Sequence, residues 1–272
     1  MASTTTDGFS WDAPQYQRYA GERDRPFFDL TSRIDASAPA TVLDLGCGDA
    51  RLTQTLKQRW PNAVVSGIDT STAMLDDARA ARRDRDLELA VGDVASWRGR
   101  DLDVIVSNAV LQWVPGHLRL LPSWVDALTP DGWLAFAVPG NAGAATHAVM
   151  RELAEEAPFA QYLDGVRLLQ PGYDLADYAR PLLEAGCAVD AWETTYQHIL
   201  TGADPVVDWV RGTGLRPILH ALPAGVREEF VARYSERMGV AYPPMSTPAG
   251  PFTIMPFRRL FVVAHRKTAG PI

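Results

Sequence analysis

Thr41-Val-Leu-Asp-Leu-Gly-Cys-Gly-Asp-Ala-Arg51 is the stretch on which the fold turns. Val42 to Leu45 reads as a buried strand, Gly46-Cys47-Gly48 as a turn, and a helix is expected from about Ala50. Neither glycine carries a Cβ, so the backbone of the turn can come close to a ligand. A helix start adds unpaired N–H groups and a partial positive charge. A dinucleotide site would continue the pattern G-x-G-x-x-G to a third glycine, but Arg51 occupies that place. Asp44 lies inside the strand end, poorly placed beside a pyrophosphate and well placed to meet an ammonium group. The ligand expected here is nucleoside-like and carries a cation close to the glycine turn.

S-adenosylmethionine meets that description, and the composition is compatible with it. At 272 residues the chain suffices for one large α/β domain. Net charge is −7 with no basic tract, which argues against nucleic acid as a partner. No apolar run approaches the roughly 18 to 20 residues that span a bilayer, so no membrane partner is expected. Met1 to Ser10 lacks the charged and apolar regions of a secretion signal, and a cytoplasmic location is expected. Cys47 and Cys187 form neither a disulfide framework nor a metal-ligand spacing, so no metal is expected. The lysines are Lys57 and Lys267 alone, and neither follows a P-loop or Schiff-base pattern.

Apolar runs alternate with helical stretches through the first half, as in a parallel sheet wrapped by helices. Strands are expected at 42–45, 64–69, 87–91, 103–108, 133–138, 189–198 and 259–264. Helices are expected at about 50–60, 71–83, 117–128, 148–157, 175–185, 204–210 and 225–238. The Pro- and Met-rich segment 242–256 reads as a loop. The sum is a single domain over 1–272: a Rossmann-like, doubly wound, seven-strand α/β sheet with its last strand antiparallel. Residues 1–38 form an N-terminal cover segment, and helical insertions at 140–172 and 200–256 cover the substrate side. Ligands of such sheets bind beyond the carboxyl ends of the strands, which selects the candidate residues.

Asp69 ends the second strand, where a carboxylate can accept from ribose hydroxyls; the alternative is a turn aspartate capping the next helix. Asp93 ends the third strand and can accept from an adenine amino group, although Gly92-Asp93 is also ordinary turn chemistry. Thr70 and Val94 adjoin these two acids, and Met74 either packs on the adenine or belongs to the helix core. Asn108 ends the fourth strand, and the loop through Leu111 and Trp113 is expected over the glycine turn, with Trp113 walling the substrate cavity. Upstream, Tyr16, Tyr19 and Arg23 belong to a polar-aromatic segment that can fold over the ligand as a lid, with Tyr16 and Arg23 on the cofactor and Tyr19 on the substrate.

Val42-Leu-Asp-Leu-Gly-Cys-Gly48, Gly67-Ile-Asp69, Gly92-Asp93 and Leu111-Gln-Trp113 together resemble the class I S-adenosylmethionine-dependent methyltransferases. More narrowly, the chain resembles the trans-aconitate 2-methyltransferase family. The matching stretches include Ala109-Val-Leu-Gln-Trp-Val-Pro115, Thr146-His147, Trp192-Glu-Thr-Thr-Tyr196, Gly212-Thr-Gly-Leu-Arg-Pro217 and Phe257-Arg-Arg-Leu-Phe261. The resemblance implies methylation of one carboxylate of a small tricarboxylate, trans-aconitate, to a monomethyl ester. A carboxylate is ionised at neutral pH, so no catalytic acid or base is expected. An anionic substrate calls for guanidinium donors, and the candidates for its site are His147, Tyr196, His198, Trp209, Arg216 and Arg258 beside Tyr19 and Trp113. Arg259 adjoins Arg258 at the same sheet edge. A monomer or weak dimer is expected. The alternatives are a methyltransferase for another small acid or natural-product intermediate, and a binding module without turnover.

Overall fold

The computed structural model describes residues 20–170 and 172–267. Its sheet follows the order β3-β2-β1-β4-β5-β8-β6, with β7 paired to β8 alone. The parallel strands are β1 (Thr41–Leu45), β2 (Val64–Asp69), β3 (Glu88–Val91), β4 (Leu102–Asn108) and β5 (Leu128–Pro139). β6 (Cys187–Leu200) pairs with β8 (Gly250–Arg266), which inserts antiparallel between β5 and β6. β1 is central and buried because Val42, Leu43 and Leu45 feed opposite faces of the pleat, each covered by helices. This is the expected doubly wound sheet with its last strand antiparallel, set between β5 and the edge strand β6.

Helices cover both faces. On one side α1 (Ala20–Thr31) and α2 (Thr53–Arg59) bury Phe27, Leu30, Leu56 and Trp60 against Val65 and Phe261. The other side carries α4 (Leu121–Asp126) and α7 (Leu175–Glu184), between them packing Trp124, Tyr178 and Leu182 on Leu45 and Phe136. α3 (Thr72–Ala80) follows β2; Ser71 starts it by accepting from Met74 N at 3.3 Å, as its position before the helix suggests. Each large apolar side chain so buried contributes roughly 1.5–3 kcal/mol.

The two insertions share a third core. α5 (Ala145–Glu155), α6 (Ala160–Leu163), α8 (Pro205–Arg211), α9 (Arg216–Ala221) and α10 (Ala224–Ala241) bring together Leu153, Phe159, Trp209, Ile218, Phe230 and Tyr234. The insertions therefore form one packed cap rather than two separate excursions. Tyr234 Oη donates to Thr146 O at 2.8 Å and ties the last cap helix to the first.

The structure changes four expectations. Segment 242–256 is not a loop: β7 (Met245–Thr247) pairs with the start of β8 in a hairpin, so the last strand begins at Gly250 rather than Arg259. Pro251 and Pro256 are tolerated there because this end of β8 lies beyond β5 and bonds on fewer sides. The helix after β1 starts at Thr53 rather than Ala50, since Ala50 adopts φ 57, which no right-handed helix accommodates. The expected helix 117–128 is divided into a 3-10 turn, His117–Leu120, followed by α4. α6 and α9 carried too weak a periodicity to be anticipated. Among the described residues no helix is long and apolar enough to cross a membrane.

Candidate functional site

The turn after β1 is built by main-chain constraints. Gly46 and Gly48 have φ 84 and φ 56, and the N–H groups of Gly46 and Cys47 both donate to Ile68 O, at 2.8 and 3.0 Å. A Cβ on Gly46 would meet Val110 Cγ2 at 2.2 Å, so the loop after β4 does lie over the turn. A Cβ on Gly48 would stand 3.1 Å from Met74 Cε, which places the Met74 thioether at the same turn. The sheet register puts the ends of β1, β2 and β4 side by side, with Asp44 beside Gly67 and Val106.

Asp44 is buried, 3% exposed, and Thr53 Oγ1 donates to its carboxylate at 2.6 Å. No cation among the described residues pairs with it. Burial raises its carboxyl to about 7; the Thr53 hydrogen bond offsets part of this, and Asp69 adds like-charge repulsion. Such a group suits a cationic ligand, which would stabilise the ionised form. Asp69 is held at the mouth of the turn: Gly48 N donates to one oxygen at 2.9 Å and Ser71 N to the other at 2.8 Å. Each oxygen keeps a further acceptor position for a hydroxyl donor.

The remaining cofactor-side candidates divide by environment. Asn108 stands at the end of β4 with its Oδ1 buried and without a donor among the described residues, as do Gln112 Oε1 and Asn141 Oδ1. Buried amide oxygens seldom lack partners, so these groups suit a polar ligand. Asp93 is exposed and its side chain accepts from Ala95 N at 2.9 Å, which closes its own turn. Thr70 is exposed, whereas the Val94 and Leu111 side chains are buried in the sheet core, leaving only their backbones toward the edge. Tyr16 and Tyr19 lie outside the described residues. Arg23 reaches the cap: its Nη2 donates to Trp209 O at 3.0 Å, and its guanidinium lies 5.1 Å from the Trp209 ring. Its neighbour Asp24 instead reaches the glycine-turn segment, through Arg51.

Two substrate-side candidates, Tyr196 and His198, lie on one face of β6. Cross-strand pairing sets Tyr196 opposite Phe257, His198 opposite Met255 and Thr194 opposite Arg259, all on the face covered by α1. Tyr196 Oη donates to Asp29 at 2.5 Å, and Arg25 lies 5.2 Å from the Tyr196 ring. His198 stacks on Trp209 with ring centres 4.3 Å apart. Burial holds the His198 imidazolium down to about 4, helped by Arg259, Arg25 and Arg23, so the ring is neutral at pH 7. His147, on α5, is likewise depressed to about 4 by burial and by Arg151. It sits under Gly214, where a Cβ would be 2.8 Å from its Cε1. Arg216 opens α9 with Nη1 buried, and Trp113 O accepts from Arg167 of the first insertion at 3.4 Å.

Arg258 does not join this group. It points to the opposite face, where Nε and Nη2 donate to Glu193 at 2.9 and 2.5 Å, with Asp174 3.8 Å away. Its partly exposed ion pair sets it on the face away from Tyr196 and His198. The arginine on the inner face is Arg259, which is 7% exposed and lies 5.2 Å from the Phe257 ring. Asp29 and Thr53 were not anticipated. Asp29 follows Arg25 at i+4 on one helix, a spacing that could have found it. A groove of about 380 Å³ opens elsewhere, bounded by Leu43, Ile68, Leu89 and Trp97; none of the candidate site residues lines it.

A glycine turn after β1, an acid ending β2 and a polar row beyond β4 and β5, on a sheet with one antiparallel strand, define a class I S-adenosylmethionine-dependent methyltransferase. Solved structures agree on the fold: YcgJ from Bacillus subtilis superposes with TM-score 0.56 at 13% identity, covering 88% of this chain and 96% of that one. A phosphoethanolamine N-methyltransferase from Haemonchus contortus, solved with S-adenosyl-L-methionine, gives 0.54 at 14% identity, over 93% of this chain and 56% of that one. Residues 42–132 match the family described as "Methyltransferase domain". The trans-aconitate 2-methyltransferase of Streptomyces avermitilis is 47% identical over 95% of this chain and 97% of its own length. That of Mycobacterium tuberculosis is 41% identical over 94% and 96%. The chain belongs to the trans-aconitate 2-methyltransferase family.

Proposed function

We propose that this chain transfers a methyl group from S-adenosylmethionine to one carboxylate of trans-aconitate, giving a monomethyl ester and S-adenosylhomocysteine. The observation that carries this reading is the extent of the relationship: 47% identity persists over 95% of the chain, so it includes both insertions of the cap as well as the sheet. When bound, the cofactor supplies a methyl group on a sulfonium, an activated electrophile. Asp44 would then face positive charge across the glycine turn, and Asp69 would accept from ribose hydroxyls while its two backbone donors hold it in place. Met74 and Asp93 would bound the base, and Asn108 with Gln112 would supply polar contacts near the reacting groups.

The chemistry asks little of the side chains beyond placement. A substrate carboxylate is already a nucleophile at neutral pH, and holding it in line with the methyl group supplies most of the acceleration. The site fits that demand, since His147 and His198 are both held neutral with their pKa values near 4. Neither is tuned to the operating pH as a general base would be. Trp113, His147, Trp209 and Arg216 would wall the substrate between the loop after β4 and the cap. The test is incubation with methyl-labelled S-adenosylmethionine and a panel of di- and tricarboxylates, followed by ester detection. Trans-aconitate should give the highest kcat/KM; ester formation from another acid of the panel with none from trans-aconitate would overturn the assignment.

A further inference from the structure

Three guanidinium groups converge on one buried imidazole at the far end of the substrate side. Arg23 and Arg25 of α1 lie on the rings of Trp209 and Tyr196, and Arg259 of β8 lies on that of Phe257; all three rings pack on His198. The placement follows from strand parity and helix period. Phe257, Arg259 and Phe261 alternate onto the inner face of β8, so Arg258 must point outward to Glu193. On α1, Arg25 and Asp29 are one turn apart and lie along Tyr196, while Arg23 reaches Trp209 of the cap. Asp29 is engaged by the Tyr196 hydroxyl, which holds that carboxylate to one side of the cluster. Arg259 lies opposite Pro139 at the end of β5, one strand beyond Asn108, which pairs with Ala137. The cluster therefore stands on the sheet edge where a reacting carboxylate would be presented, three strands from the glycine turn.

We infer that Arg259 and Arg25, with Arg23 behind them, form the carboxylate clamp that holds the parts of the substrate that are not methylated. The inference rests on the functional reading above and names the residues that select a polycarboxylate within it. A chain of net charge −7 repels a multiply charged anion at long range, so recognition has to come from a local concentration of cations. Guanidinium is suited to this because it offers paired donors to a carboxylate and stays charged when buried. The stacked rings of His198, Trp209 and Tyr196 limit hydration on the inner side of the clamp, which strengthens a charged hydrogen bond there.

The test compares Arg259→Gln, Arg259→Lys, Arg25→Gln and Arg258→Gln with the parent chain. Three quantities are measured: steady-state kinetics with trans-aconitate, trans-aconitate binding in the presence of S-adenosylhomocysteine by calorimetry, and S-adenosylhomocysteine affinity alone. Arg259→Gln and Arg25→Gln should each raise KM and the trans-aconitate Kd by roughly ten- to a hundredfold, the range for losing a charge-assisted bond. Their cofactor affinity should stay within about twofold. Arg259→Lys should recover only part of the loss, since the point charge remains and the fork does not. With a dicarboxylate lacking one carboxylate, the penalty of Arg259→Gln should shrink. Unchanged trans-aconitate binding in both Gln variants, or a matching loss of cofactor affinity, would overturn the clamp, as would an equal effect of Arg258→Gln. If Arg259→Gln does not fold, Arg25→Gln decides, because Arg25 is exposed on its helix. Failure of the functional reading looks different: the parent would bind trans-aconitate through these arginines without methylating it.

Discussion

Lowering the pH from about 8 to about 6 should weaken S-adenosylhomocysteine binding roughly tenfold, through Asp44 alone. The carboxyl of Asp44 titrates near 7 in the free protein because it is buried, an effect that the hydrogen bond from Thr53 offsets only in part. An ammonium-bearing ligand at the glycine turn requires the ionised form, so below that pH a proton must leave before the contact forms. For a group of pKa about 7, the apparent Kd is multiplied by about 11 at pH 6 and by about 1.1 at pH 8, a ratio near ten, or about 1.4 kcal/mol. Calorimetry at pH 7 in two buffers of different ionisation enthalpy should show release of about half a proton per ligand bound. His147 and His198, near 4, lie outside this window. The stability of the ligand-free chain runs the other way. The folded state keeps a proton that the unfolded state loses, so Asp44 destabilises progressively from its ordinary value of 3.8 up to about 7. Asp44→Asn should therefore raise the thermal midpoint at pH 8, by an amount bounded at about 4 kcal/mol, while abolishing the pH dependence of binding. Binding that is flat from pH 6 to 8 in the parent, or an equal slope in Asp44→Asn, would refute the reasoning.

Three further outcomes follow from the same geometry. With cofactor and substrate bound, the single-turnover rate should be nearly flat between about pH 6.5 and 8.5, because the two buried histidines are neutral throughout; a tenfold rise with one ionisation near 7 would implicate a base. Asp69→Ala removes the acceptor organised by Gly48 and Ser71, and titration should show S-adenosylhomocysteine affinity reduced by about 1.5–3 kcal/mol or more. Gly46→Ala combines φ 84 with a contact of 2.2 Å to Val110, and thermal unfolding should report a loss above the roughly 1–2 kcal/mol of a left-handed alanine, partly relieved by Val110→Ala.

The glycine turn, Asp69 and the order of the strands were legible because each is fixed locally: a buried apolar run, two glycines and an acid at the next strand end admit few arrangements. The antiparallel late strand was legible from the length of the excursion before it. The face taken by each arginine was not, because Arg258 and Arg259 are adjacent and face opposite sides of one strand. Which of them points inward depends on a register set against β6 over fourteen pairs, beginning in the hairpin after Met245. The prolines that made segment 242–256 read as loop are the ones an edge position tolerates. Asp44 was legible as an acid near the turn, but its burial required the packing of Thr53 and α2 over it. The Arg23 contact with Trp209 was not legible, since it is made across 186 positions of sequence to the cap.

The central claim is methylation of a carboxylate of trans-aconitate at this sheet edge without a protein base. Its most direct test is product analysis of a single-turnover mixture of the chain, S-adenosylmethionine carrying a labelled methyl group, and trans-aconitate, resolved by mass spectrometry and nuclear magnetic resonance. The account predicts a monoester with the label on one carboxylate oxygen, formed in step with S-adenosylhomocysteine. Label recovered on carbon, or cofactor bound stoichiometrically with no ester formed at saturating trans-aconitate, would contradict it.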